Sequence, residues 1–188
     1  MKKRLAAALS GSAVLALVLS GCNDDGDDKM NAWADTVCDS VRPQAKKIAT
    51  ANSELQKETS GSSKPEDVRK ADINAFRDMS DAYKAIATGL DKAGAPPVDD
   101  GEKKRTDVVK ELNGVSSSYS DLRQKAEDLD TKDQSAFASG LQEVSQQLGS
   151  LSKTGNKALK EFESGDVGKA MQKQKSCQSL SASASPSS

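Results

Sequence analysis

From Met30 onward the apolar residues of this chain return at helical spacing. In the first segment Met30, Trp33, Val37, Val41, Ile48 and Leu55 fall at steps of three, four or seven, with Ala45 filling one gap. That places them on one stripe of an amphipathic helix over about residues 29–59. Pro43 lies inside it. Proline supplies no amide proton and crowds the preceding turn, so a kink or a break is expected near Arg42. A second set, Ile73, Phe76, Met79, Tyr83, Ile86 and Leu90, lies between the polar loop Ser60–Lys64 and the stop Gly94-Ala95-Pro96-Pro97. Ser63, Pro65 and Glu66 read as a capping box with proline in the first turn.

The third helix is expected to open at Asp99. Its apolar positions, Val108, Leu112, Val115, Tyr119, Leu122, Ala126 and Leu129, alternate strictly by four and three, which is a heptad seam. Thr131-Lys132-Asp133-Gln134 reads as a further capping box after a tight turn near Asp130. The fourth helix carries Phe137, Leu141, Val144, Leu148, Leu151, Ala158 and Phe162, with Gly155 at a seam position that would let a neighbour approach closely. Ser164-Gly165-Asp166 interrupts the pattern, and a short fifth helix follows with Val167, Met171, Cys177 and Leu180 facing inward. No segment alternates with the period of a strand, and aromatic residues are 3% of the chain.

These elements predict an all-α fold, an up-down four-helix bundle with a short fifth C-terminal helix. Helices one and four then become neighbours, and the fifth folds back. The organisation expected is a leader over residues 1–21, an acidic tether over 22–28, a helical bundle over 29–180 and a disordered Ser- and Ala-rich tail over 181–188.

The leader sets the compartment. Lys2, Lys3 and Arg4 precede an apolar stretch from Leu5 to Leu19, the length of a signal-peptide core and shorter than a bilayer span of about 20 residues. It ends in Leu19-Ser20-Gly21-Cys22, which resembles the lipobox of bacterial lipoprotein precursors. In those proteins the chain is cut before the cysteine, whose thiol carries the lipid. Ser20 and Gly21 are small enough for a peptidase groove, and Cys22 offers the soft nucleophile. Losing three basic residues with the leader takes the net charge from −1 to −4. A mildly acidic chain with interspersed basic residues offers no footprint for nucleic acid and no polybasic strip for anionic lipid.

Three cysteines are present. With Cys22 taking the lipid, Cys38 and Cys177 remain, and outside the cytoplasm such a pair is expected to form a disulfide; two unpaired buried thiols are the alternative. The loop closed would be about 140 residues long, a stabilisation of roughly 5 kcal/mol in the chain-entropy model. It matters because Leu, Ile, Val and Phe make up only about 15% of residues 22–188.

Candidate chemistry is sparse. Histidine is absent, which removes the commonest general base and transition-metal ligand. Serines do not stand in a nucleophile-elbow pattern, and no Gly-rich phosphate loop is present. The aspartates at 24, 25, 27 and 28 lack the order of a calcium loop. Asp99 and Asp100, and Asp128 and Asp130, sit where helix caps and turns are expected. No catalytic residue, metal ligand or cofactor is expected, and the chain is not expected to be an enzyme. Trp33, the only tryptophan, reads first as a core residue and second as a contact for a ligand or partner.

The lipobox at Cys22, the run Trp33-Ala34-Asp35-Thr36-Val37-Cys38 and the late Cys177 resemble small secreted helical lipoproteins of high-GC Gram-positive bacteria, Streptomyces and relatives. That resemblance implies a lipid-anchored place in the cell envelope, on the outer face of the cytoplasmic membrane, and carries no activity with it. Two roles follow as expectations: a non-enzymatic binding or scaffold module for an envelope or secreted protein, or a small-molecule carrier with a pocket between helices near Trp33 or Gly155.

Overall fold

A computed structural model describes residues 24–59, 63–162 and 164–178. Among them the chain forms α1 (Asp24–Thr59), α2 (Pro65–Ala93), α3 (Gly101–Glu127), α4 (Gln134–Phe162) and α5 (Gly165–Lys173), with a last helical turn over 175–178. The fold is all-α: four long helices pack against each other, and short C-terminal helical segments close one end. The leader, Cys22, the tail and Leu180 lie outside the described residues, as do the side chains of Gly155, Ala158 and Phe162.

α1 starts earlier than the sequence suggests. The acidic segment expected as a tether is helical from Asp24, and its exposed Asp27 and Asp28 face a helix N-terminus where negative charge is favourable. Packing begins at Met30. The helix then runs through Pro43 without a break. Pro43 and Asp39, whose carbonyl loses its amide partner, are both exposed, so water reaches the freed carbonyl and the helix continues.

The helix starts differ from the expected caps by one or two residues. α2 is preceded by Lys64 in an extended conformation, with no side-chain cap, and the Ser63 hydroxyl instead donates to Glu58 Oε2 at 2.8 Å. α3 opens at Gly101 after Asp100 rather than at Asp99. At α4 the capping oxygen belongs to Asp133, not Thr131: its Oδ1 accepts the amides of Ser135 (2.8 Å) and Ala136 (3.0 Å). Asp130 Oδ1 accepts the Lys132 amide at 2.9 Å, the turn expected at that position.

The core is built in three clusters along the bundle. At one end Met30, Trp33, Ala34 and Val37 of α1 meet Ile86 and Leu90 of α2, Val108 and Leu112 of α3, and Val167, Ala170 and Met171 of α5. In the middle Ala51, Phe76, Met79, Tyr119, Leu122 and Val144 join α1 through α4. At the far end Val68, Leu129 and Phe137 close the turn between α3 and α4. Phe76, Met79 and Leu122 are at most 1% exposed, and burying each contributes roughly 2–3 kcal/mol.

α1 and α4 share the middle cluster, Ala51 and Leu55 of α1 lying with Val144, Leu148 and Leu151 of α4. α1 packs mainly on α2 and, through its first half, on α5, whereas α4 packs mainly on α3. The apolar face of α5 lies against the first half of α1, in the first cluster. Polar contacts fix the register of the remaining pairs. Ser80 and Ser116 exchange hydrogen bonds between α2 and α3, each hydroxyl donating to the other residue's carbonyl at 2.8 and 2.9 Å. α1 and α2 cross closely where Ser40 meets Gly89: a Cβ there would lie 2.7 Å from the Ser40 hydroxyl.

Candidate functional site

The two cysteines left after Cys22 come together. Cys38, fully buried on α1, and Cys177, 7% exposed after α5, have Sγ atoms 1.97 Å apart and Cα atoms 5.1 Å apart. They are 139 positions apart in the sequence. The pair ties the C-terminal segment to α1 within the first core cluster, beside Val37 and Met171.

Trp33 is part of that same cluster and is 8% exposed. Its indole N–H donates to the Gly94 carbonyl at 3.0 Å, pinning α1 to the loop between α2 and α3. Gly94 ends α2 with φ 79°, a conformation that suits glycine. The ring is therefore a core and anchoring group, with little surface left for a ligand or partner.

Of the paired carboxylates, Asp128 accepts from the Gln124 side-chain amide at 3.4 Å and Asp130 from the Lys132 backbone amide at 2.9 Å. Asp100 precedes α3 in the left-handed region, φ 58°, and makes no side-chain cap bond. Asp128 ends α3, its amide donating to the carbonyls of Ala126 and Gln124. Arg105 joins Glu102 at 2.9 Å and also Asp91, linking the start of α3 to the end of α2. Among the described residues no group of three or more His, Cys, Asp or Glu side chains is placed to hold a metal ion.

One ionisable group escaped the sequence reading. Asp72 lies on the buried stripe of α2, between Val68 and Phe76, and is 6% exposed. Burial pushes its carboxyl from 3.8 up to about 6. Its signal was available, since position 72 falls in phase with Val68, Ala75, Phe76 and Met79. Tyr83 and Tyr119 stack with centroids 5.5 Å apart, and burial raises both phenols, that of Tyr119 further because Tyr83 lies beside it.

A concavity lies elsewhere, between α3 and α4. It is an open groove of about 780 Å³. Val115 and Leu122 of α3 and Leu151 of α4 form its apolar part, and Glu111, Asp121 and Glu143 supply its charge. Gly114 faces the groove with open space: a Cβ there would meet nothing within 4 Å. The sequence hinted at this place only through the small residues Gly114 and Ser118 beside a strong seam.

No protein-family model, curated protein or solved structure matches this chain. Among the described residues no helix is long and apolar enough to cross a membrane.

Proposed function

We propose that the chain is an extracytoplasmic lipoprotein, acylated on Cys22 and held on the outer face of the cytoplasmic membrane. Its helical bundle binds another envelope or secreted protein and performs no chemistry of its own. The observation that carries the reading is the Cys38–Cys177 pair at bonding distance in a chain that opens with a basic–apolar leader ending in Leu19-Ser20-Gly21-Cys22. A disulfide of this kind persists in oxidising compartments, and the leader is of the type that delivers a chain there. Burial of Trp33 and Asp72 and the use of the helix-end carboxylates as turns and linkers leave binding, rather than catalysis, as the work the surface supports.

Metabolic labelling with a clickable palmitate tests the anchor. The expected result is label on the wild-type chain in the membrane fraction, and neither label nor membrane retention for Cys22→Ala. An unlabelled, cytoplasmic wild-type chain with free thiols at Cys38 and Cys177 would refute the proposal.

A further inference from the structure

We propose that the first turns of α1 are a rigid stalk that holds the bundle upright on the bilayer, with the α2–α3 loop turned toward the lipid and the α3–α4 turn outermost. This rests on the lipoprotein reading above and adds to it which surface faces the membrane. Only Asn23 separates Cys22 from Asp24, where α1 begins. At no more than about 3.6 Å per residue, the two links between them give about 7 Å of slack. A chain acylated on Cys22 therefore carries the start of α1 at the level of the lipid headgroups.

α1 leaves this point unaccompanied. Gly26, Asp27, Asp28 and Lys29 are all exposed, and four successive residues go once round a helix, so this turn is bare on every side. A Cβ on Gly26 would meet nothing within 4 Å. Met30 is the first residue of the core, about 9 Å above Asp24 at the helical rise. The shoulder of the bundle comes next. Trp33 donates to the Gly94 carbonyl, which sets the α2–α3 loop about 13 Å above the start of α1. The core clusters then follow in order of height: Trp33 and Val37 belong to the first and Ala51 to the second. Val68, in the first turn of α2, joins Leu129 and Phe137 at the far end. The 36 residues of α1 put that end about 54 Å from Asp24.

Charge opposes the alternative posture, in which α1 lies along an anionic surface. The exposed charged groups of its first half are Asp27, Asp28, Asp35 and Asp39 against Lys29 and Arg42, and Lys46 and Lys47 follow only after Pro43. In the upright posture Asp35 and Asp39 stand about 17 and 23 Å along the helix, beyond the roughly 8 Å over which a surface potential acts in physiological salt. Lying down brings both against the headgroups. Ala32 and Pro43 are the only apolar side chains exposed between residues 26 and 47, too little buried area to offset that repulsion.

The test uses the acylated mature chain with its disulfide intact, reconstituted in vesicles of phosphatidylcholine and phosphatidylglycerol that carry an acceptor-labelled lipid. A donor fluorophore is attached through Lys29→Cys on the stalk, Asp99→Cys in the α2–α3 loop or Lys132→Cys at the α3–α4 turn, three exposed positions. Energy transfer should be strong from the first two and lower by about three-fold or more from the third, given a height difference of about 40 Å. Inserting about six Gly and Ser residues between Asn23 and Asp24 replaces the short link by a flexible one. Transfer from the Lys29→Cys donor should then fall, and its ratio to that from the Lys132→Cys donor should shrink by about half. Equal transfer from all three positions, or a profile that the insertion leaves unchanged, overturns the proposal. Either result on a chain shown to carry lipid leaves the lipoprotein reading standing, whereas a wild-type chain that carries no lipid in cells removes both.

Discussion

Asp72 gives the most direct handle on the energetics of the bundle. It occupies a core position on α2 among Val68, Ala75, Phe76 and Met79, and burial raises its carboxyl from 3.8 to about 6. The unfolded chain gives up this proton near 3.8 and the folded chain near 6, so between those values the native state holds more protons. Stability from this group therefore falls as pH rises through that window, and the penalty is complete above it. A shift of this size corresponds to about 3 kcal/mol. Water at the edge of the carboxylate screens part of it, which leaves about 1–2 kcal/mol.

Asp72→Asn keeps the volume and removes the charge. Urea unfolding of both proteins from about pH 4 to pH 8 should show the variant more stable by about 1–2 kcal/mol at the upper end, with the gap closing toward the lower end. A gap independent of pH, or a wild-type Asp72 carboxyl that titrates by NMR at its ordinary value, would refute the reasoning.

Replacing Cys38 and Cys177 together by Ala should cost about 2–5 kcal/mol, read by urea unfolding, and hydrogen exchange should speed up first in α5, which packs chiefly on α1; unchanged exchange there would count against the staple. Gly101→Ala should destabilise by about 2 kcal/mol or more, because its Cβ would fall 2.1 Å from the Pro96 carbonyl oxygen, a backbone atom that cannot step aside. Asp100→Gly should raise the melting temperature, worth about 1 kcal/mol, since the left-handed backbone at φ 58° costs aspartate and its side chain makes no cap bond.

The heptad seam of α3 was fully legible: Val108, Leu112, Val115, Tyr119, Leu122, Ala126 and Leu129 are all buried, because seven positions in phase outvote any local exception. Caps were not, since a cap is decided by one residue. Ser63 and Thr131 matched the pattern of a capping box, yet Lys64 and Asp133 precede α2 and α4. Periodicity also says which face is buried without saying by which neighbour, so how far α2 rather than α4 covers α1 could not be read from its stripe alone. The pairing of Cys38 with Cys177 could be read from the cysteine count, whereas the α3–α4 groove depends on how far two helices stand apart, which no single helix encodes. Asp72 was passed over because its charge masked its phase.

The link between Cys38 and Cys177 also governs how the molecule bears a load. Tension applied between Asp24 and Gln178 runs along α1 as far as Cys38, crosses directly to Cys177 5.1 Å away between Cα atoms, and leaves. α2, α3 and α4 sit inside the covalent ring and carry none of that pull. A protein tugged at its ends would fray at the start of α1 while the rest of the bundle stayed shut.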